Sequence, residues 1–133
     1  MIKGTHLAAI AAAVLAGTEP ALAADTSCYA AAQADQGHQL FNNHCAECHR
    51  PDLTGAIGPA LVGTPFWQHW SGQSVEALFN FEHTKMPATN TGSLPGDEVM
   101  AITAYILTRN ALPGGNEALD QARAKTLILP KSG

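Results

Sequence analysis

Two cysteines and a histidine stand close together in the order Cys45-Ala46-Glu47-Cys48-His49. On a helix, residues three and four positions apart share a face, so both thiols and the imidazole would point the same way. Two thiols at this spacing can add to the two vinyl groups on one edge of a porphyrin, with the imidazole next to the iron. The C-x-x-C-H pattern therefore predicts covalent haem attachment at Cys45 and Cys48, with His49 as an iron ligand.

Three other kinds of site use closely spaced cysteines. A thiol–disulfide site needs a βαβ context, which this sequence does not indicate. Structural zinc needs four ligands, and no second pair of ligands occurs at the usual spacing. A disulfide between Cys45 and Cys48 would close a tight loop with no evident use. The remaining side chains that could ligate zinc are Cys28, His44, His69 and His83.

The segments that must position these residues read as helices and loops. Apolar spacing and end signals predict helices over residues 29–44, 66–71, 75–83, 97–110 and 116–125. Thr64 with Pro65 and, separately, Ser74 are predicted to start two of them. Residues 50–63 and 84–95, rich in glycine and proline, are predicted loops. With no strand-like alternation and no internal repeat, the sequence predicts an all-α fold of four to five short helices.

The N-terminus has the order of a secretory signal peptide. A short basic start at Lys3 precedes an apolar run over residues 7–17, and Ala21-Leu22-Ala23 fits a cleavage site. We expect residues 1–23 to be removed after Ala23 or Ala24, and residues 24–133 to form one domain with a tail from about residue 113. An uncleaved anchor or a buried N-terminal helix is the alternative. Export of this kind predicts a periplasmic protein with no membrane segment in its mature part.

Charge and cysteine content limit the function further. Seven basic and eleven acidic side chains give a net charge of −4, which argues against nucleic acid as a partner. A mature chain of about 110 residues has a small core, to which a buried haem would add apolar surface. Cys28 is the third cysteine; it is interpreted as a bystander in a frayed N-terminus, with a free thiol or a link to another chain as alternatives.

Around the C-x-x-C-H motif the sequence resembles the class I cytochrome c family. Gly37 and Phe41 lie eight and four residues before Cys45, as in the N-terminal helix of that family. Ile102 and Tyr105 resemble the matching pair on its C-terminal helix. The resemblance runs from about residue 33 to residue 110. It implies a class I cytochrome c fold wrapped around one covalent haem c, with these two helices crossing at close range.

The resemblance also implies roles for two loops. Gly58-Pro59-Ala60-Leu61 resembles the proximal loop, in which the proline carbonyl accepts a hydrogen bond from the axial histidine. Thr84-Lys85-Met86-Pro87 resembles the distal loop, in which the thioether binds iron.

Some of these roles have open alternatives. His83 as the distal ligand, or an open iron, remains an alternative to Met86. In the family, a tryptophan in this region can donate to a haem propionate, so Trp67 or Trp70 is expected to do so, unless both only pack against the haem.

Axial ligation by histidine and methionine implies electron transfer, since both iron positions are closed and methionine raises the haem potential. No constellation of catalytic side chains is evident, so the chain is expected to be an electron carrier and not an enzyme. The segment from Tyr105 through Pro113-Gly114-Gly115 to Leu119 resembles small cytochromes that accompany periplasmic dehydrogenases. This resemblance implies redox proteins as partners: a periplasmic dehydrogenase as donor and an oxidase or cytochrome as acceptor. The alternatives are a haem subunit of a larger dehydrogenase, or a haem enzyme or gas sensor with a labile distal ligand.

Overall fold

Six helices make up most of the part of the chain that the structure, a computed structural model, describes: residues 25–131 together with residues 1, 4 and 17. The predicted all-α class is confirmed, and the six helices include two of only four and six residues. The predicted signal peptide lies almost entirely outside the described residues. Within the described part, no helix combines the length and apolarity needed to cross a membrane. The helices are α1 (Ala31–His44), α2 (Ala46–His49), α3 (Gly63–Trp70), α4 (Val75–Lys85), α5 (Gly96–Arg109) and α6 (Gln121–Thr126).

The crossing of α1 and α5 is the central contact of the fold. A Cβ atom on Gly37 would lie 1.8 Å from the carbonyl oxygen of Ala101 and 3.0 Å from Cβ of Tyr105. The rings of Phe41 and Tyr105 pack with their centroids 5.5 Å apart. The close approach that the resemblance implies is therefore present. The residue of α5 that packs most closely against Gly37 is Ala101, through its backbone, and not Ile102 through its side chain.

Helix α4 leads from the core to the loop that contains Met86. Its predicted N-cap is confirmed, because Oγ of Ser74 accepts a hydrogen bond from the Ala77 N–H at 3.1 Å. The buried face of α4 carries Val75, Leu78, Phe79 and Glu82. The predicted cap of α3 at Thr64 is wrong: Val62 is the N-cap and the helix begins at Gly63, whose backbone is left-handed at φ +69°.

Both ends of the described chain pack onto the domain. Strands β1 (Tyr29–Ala30) and β2 (Gly114–Gly115) pair in parallel, a feature that two-residue strands leave no pattern to predict. The Cys28 N–H donates to the carbonyl of Pro113 at 2.7 Å, and Cys28 is buried. The frayed N-terminus expected around Cys28 is therefore wrong, because the return of residues 113–115 covers it.

The C-terminal segment closes over the connection between α3 and α4. The Gly72 N–H donates to the Leu129 carbonyl at 2.9 Å, and the Leu129 N–H donates to Gln73 at 2.8 Å. Leu119 and Ala124 are buried with Leu129. Residues 114–131 thus belong to the packed domain, and the helix expected over residues 116–125 is the shorter α6.

Candidate haem site

The C-x-x-C-H motif forms one helical turn directly after α1. The His49 N–H donates to the Cys45 carbonyl at 2.9 Å, and the Cys45 N–H donates to Phe41 at 2.8 Å. This turn fixes Cys45, Cys48 and His49 at helical spacing, so the three side chains share a face. Both cysteines are half-buried free thiols, and His49 is buried.

A hydrogen bond determines which ring nitrogen of His49 is available to a metal. Nδ1 of His49 lies 2.8 Å from the carbonyl oxygen of Pro59. A proline carbonyl can only accept, so Nδ1 carries the proton and donates. In the neutral imidazole, Nε2 therefore keeps its lone pair. An imidazole whose Nδ1–H is bound to a carbonyl has the tautomer and fixed orientation of a metal ligand.

The loop after the motif also packs against the imidazole at Gly58. A Cβ on Gly58 would lie 2.6 Å from Cε1 and 2.8 Å from Nδ1 of His49. The loop is held there by backbone hydrogen bonds, including those from Gly58 and Ala56 to the Cys48 carbonyl. The sequence indicated Gly58 only as a loop residue, because its contact with the ring arises from folding.

Asn110 anchors the far end of this loop, a role that the sequence did not suggest. Its Nδ2 donates to the carbonyl of Leu61 at 2.9 Å, and its Oδ1 accepts from the Gly63 N–H at 3.3 Å. Asn110 is buried at the C-terminal end of α5. The loop that contacts His49 is therefore tied to the helix that crosses α1. An asparagine at a helix end is so common that it gave no signal of this contact.

Met86 directly follows α4 and is half-buried. Its N–H donates to the Glu82 carbonyl at 3.0 Å, and its own carbonyl accepts from Gly92 at 3.3 Å. The ring of His83 stacks on Phe79 with centroids 5.3 Å apart. Met86 thus extends from the end of a helix whose buried face belongs to the core, whereas the His83 ring has an aromatic partner.

Glu82 is a buried acid beside the motif. Its carboxyl group is hydrogen-bonded to the Thr103 hydroxyl on α5. Burial raises the pKa of Glu82 to about 8, and the hydrogen bond with Thr103 opposes part of that rise. Burial also raises the pKa of the Cys45 thiol to about 12, with the charges of Glu82 and Cys48 adding to it. Glu82 therefore lies close enough to Cys45 for the two groups to interact.

The two tryptophans occupy different surroundings. Trp67 is half-buried and packs edge-on against Phe66, with ring centroids 5.1 Å apart. Trp70 is buried and contacts His69 and Phe81 edge-on, at 4.6 and 5.7 Å. Both residues contribute to the aromatic side of the core, and Trp67 is the more accessible of the two.

The donor set fits covalent haem better than the alternatives. Two thiols and an imidazole with a free Nε2 share one helical face, and Gly58 leaves room for the ring. Within residues 25–131, no three His, Cys, Asp or Glu side chains cluster as a metal-ion site, and the three cysteines are not bonded to one another. The strands of the same region are two residues long, which is not the βαβ setting of a dithiol enzyme.

Comparisons with known proteins found a matching family, a similar curated protein and a similar solved structure. The profile of the family described as "Cytochrome C oxidase, cbb3-type, subunit III" matches residues 32–106. The cbb3-type cytochrome c oxidase subunit FixP of Bradyrhizobium diazoefficiens is 29% identical over 140 residues, covering 96% of this chain and 46% of FixP. The chain thus spans about half the length of this curated relative. The crystal structure of the sulfane dehydrogenase SoxCD from Paracoccus pantotrophus matches 88% of this chain and 69% of that one.

The fold and the site define a class I cytochrome c, and the likeness to SoxCD, with a TM-score of 0.58 at 22% identity, supports the fold alone. Because the profile match covers more than half of the chain, the chain belongs to the family described by the cbb3-type subunit III profile. Members of this class bind haem c covalently, and the chain therefore contains a haem c electron-transfer domain.

Proposed function

We propose that this chain is an exported single-electron carrier that acts between a periplasmic dehydrogenase and a downstream oxidase or cytochrome. Its iron ligands would be His49 and Met86, and its thioether positions Cys45 and Cys48. The observation that carries the proposal is the hydrogen bond from His49 Nδ1 to Pro59, 2.8 Å, next to two thiols on the same helical turn. This arrangement leaves Nε2 free as an iron ligand.

The residues of the chain have four tasks in this function. Bound haem c supplies a one-electron iron couple. Cys45 and Cys48 would hold it covalently, and Pro59 would fix the orientation of His49. Met86 would close the second axial position, which keeps small molecules from the iron and raises the potential. Trp67 or Trp70 would donate an indole N–H to a propionate, and the greater exposure of Trp67 favours Trp67.

Met86→Ala tests the distal ligand. We expect the haem to stay attached, the potential to fall on the order of 0.1 V, and the ferric iron to bind cyanide, because axial ligands span about 0.8 V of potential. Redox titration and optical spectra measure both effects. Met100→Leu is the matched control, since Met100 is a buried core residue of α5 and its replacement should leave the potential unchanged.

A Met86→Ala protein that keeps its potential and stays closed to cyanide would contradict ligation by Met86. In that case His83→Ala should open the iron. A wild-type protein that already binds cyanide or carbon monoxide readily would instead favour the haem enzyme or gas sensor as the function.

A haem subunit of a larger oxidoreductase is the second candidate. It is supported by the names of the similar proteins, an oxidase subunit and a dehydrogenase complex, and by coverage of only 46% of FixP. Gel filtration of the mature protein with its native extract separates the two candidates. A carrier elutes alone at the mass of one domain, whereas a subunit co-elutes with a dehydrogenase or oxidase.

The proposed domain limits follow from export. Residues 1–23 would be the signal peptide and residues 24–133 the mature domain. Intact-mass measurement of protein from the periplasm should give a chain that begins at Ala24 or Asp25 and carries one haem. A chain that keeps Met1 in the membrane fraction would favour an uncleaved anchor.

A further inference from the structure

The carboxyl of Glu82 is a buried group to which the proposed haem ligation gives no task. It lies on the core face of α4 with Val75, Leu78 and Phe79, and only 8% of its surface is exposed. A carboxyl in such a position costs free energy unless it is hydrogen-bonded. The position of this carboxyl on the apolar face of α4 therefore has to be explained by the hydrogen bonds that it makes.

The reason lies in a chain of two hydrogen bonds that ends on α5. The Thr103 hydroxyl is bonded to Oε2 of Glu82 and lies 2.9 Å from the carbonyl of Val99. One hydroxyl has one proton, and a backbone carbonyl can only accept. Both hydrogen bonds can therefore form at once if the Glu82 carboxyl donates its proton to the Thr103 hydroxyl and that hydroxyl donates its own proton to the Val99 carbonyl.

This link joins α4, which directly precedes Met86, to α5. Thr103 is fully buried in α5, which α1 contacts at Gly37. One turn after Glu82, the Met86 N–H donates to the Glu82 carbonyl at 3.0 Å. A displacement of α4 relative to α5 would therefore displace the start of the distal loop.

The second carboxyl oxygen of Glu82 takes no part in the link to Thr103. Within the described part of the chain, Oε1 is buried and has no hydrogen-bond partner. The same carboxyl is near enough to Cys45 to influence the pKa of that thiol. Glu82, near the end of α4 that precedes Met86, is thus hydrogen-bonded to α5, and its charge influences Cys45.

We propose that Glu82 is a positioning residue for the distal ligand: its hydrogen bond to Thr103 fastens α4 to α5 and so holds Met86 at the iron. The inference rests on the proposed ligation by Met86. Glu82 acts through the backbone of α4 and need not touch the iron or its ligands.

Two pairs of variants test the hydrogen bond itself. Glu82→Gln and Thr103→Ser keep a donor and a hydroxyl, whereas Glu82→Ala and Thr103→Val remove them. Titration of the ferric protein with imidazole measures how easily the methionine is displaced, and the near-infrared band of methionine-bound ferric haem reports the ligand directly. Glu76→Ala, which removes an acid from the first turn of the same helix, is the matched control.

We expect Glu82→Ala and Thr103→Val to bind imidazole about tenfold more tightly than the wild type, because loss of one buried hydrogen bond has that effect on an equilibrium. Their near-infrared band should weaken. Glu82→Gln, Thr103→Ser and Glu76→Ala should retain the wild-type affinity and band. Thr103→Val keeps the side-chain shape, so the test remains available if Glu82→Ala does not fold.

Three outcomes would overturn the inference. Wild-type imidazole affinity in Glu82→Ala and Thr103→Val, with only the unfolding midpoint lowered, would give Glu82 a purely structural role. A Glu82→Gln protein that behaves like Glu82→Ala would assign the effect to charge and not to the hydrogen bond. A wild-type protein without the near-infrared band would refute ligation by Met86, and the inference with it, whereas a normal wild-type band with unaffected variants refutes the inference alone.

Discussion

At the scale of single residues, two neighbours in the proximal loop fix the orientation and the tautomer of the His49 imidazole. Pro59 accepts its Nδ1 proton, and Gly58 leaves the space that the ring occupies. A donated Nδ1–H makes the other nitrogen a stronger ligand, so with His49 as the proposed iron ligand the loop would tune the iron as well as orient the ring. Both contacts come from two consecutive residues, Gly58 and Pro59. A single methyl group added at Gly58 would therefore disturb the ring.

Gly58→Ala should disturb the proximal ligand. Its Cβ would overlap the ring of His49, so the ring or the loop must move and the hydrogen bond to Pro59 must weaken. We expect the free energy of unfolding to fall by about 1–3 kcal/mol. The reduction potential should rise, because a less basic imidazole stabilises ferric iron less.

Gly63→Ala is the control for this variant. Gly63 has a left-handed backbone but no atom within 4 Å of its Cβ position, so alanine there should cost stability only. Redox titration together with urea unfolding of both proteins makes the comparison. Equal potentials in Gly58→Ala and the wild type would contradict the role of this contact.

At the scale of elements, the crossing of α1 and α5 positions the motif. The C-x-x-C-H turn continues directly from α1, and Asn110 at the end of α5 holds the loop around His49. Gly37 allows these two helices to approach because it has no Cβ. Packing and helix propensity oppose each other at this position, since alanine would be the better residue in an isolated α1.

Gly37→Ala should show that packing outweighs propensity. A gain of up to about 1 kcal/mol from propensity is expected to be exceeded by a packing cost of about 3 kcal/mol, because the new Cβ would overlap the Ala101 backbone. Gly96→Ala is the control: its Cβ would meet only Phe79, at 3.9 Å, so it should be neutral or slightly stabilising. The midpoints of thermal unfolding of the two variants measure this difference in stability. Equal midpoints for Gly37→Ala and Gly96→Ala would contradict the close crossing of α1 and α5.

At the scale of the whole molecule, the two ends of the described chain close the domain. Residues 28–30 pair with residues 113–115 through backbone hydrogen bonds, and the backbone of Leu129 is hydrogen-bonded to the turn between α3 and α4. This closure buries Cys28, where burial raises the pKa of the thiol. A buried thiol with a raised pKa has little thiolate at neutral pH and reacts slowly.

Cys28 should therefore be the one cysteine that remains a free thiol in the haem-loaded protein. Its burial should protect it from alkylating reagents. We expect iodoacetamide at pH 8 to modify it at least about tenfold more slowly in the native protein than in urea. Reaction should accelerate as the pH rises, since the thiolate forms only above the ordinary thiol range. Mass spectrometry counts one adduct after unfolding, and Cys28→Ser should give none. Rapid native labelling, or a disulfide-linked dimer, would contradict this prediction.

The sequence predicted the helices of this protein well where local physics decides them. Apolar spacing located α4 and α5 within two residues at each end, and Ser74 was predicted as the cap of α4 because a side-chain oxygen before a helix bonds its first N–H groups. The start of α3 was missed because a left-handed glycine, Gly63, opens the helix before the proline that looked like its start. The two-residue strands were missed because pairing between residues 29 and 114 is not a local property.

For the candidate site, the sequence by itself determined the one-turn spacing of the motif, and that spacing predicts the attachment chemistry. The spacing of Cys45, Cys48 and His49 is a local helical property, so no other part of the chain is needed to predict that they share a face. Tertiary structure alone decided what surrounds them: the contact of Gly58 with the imidazole, the anchor at Asn110 and the link between Glu82 and Thr103. Each of these joins residues from different elements, and their proximity depends on how the helices pack, which no local pattern records.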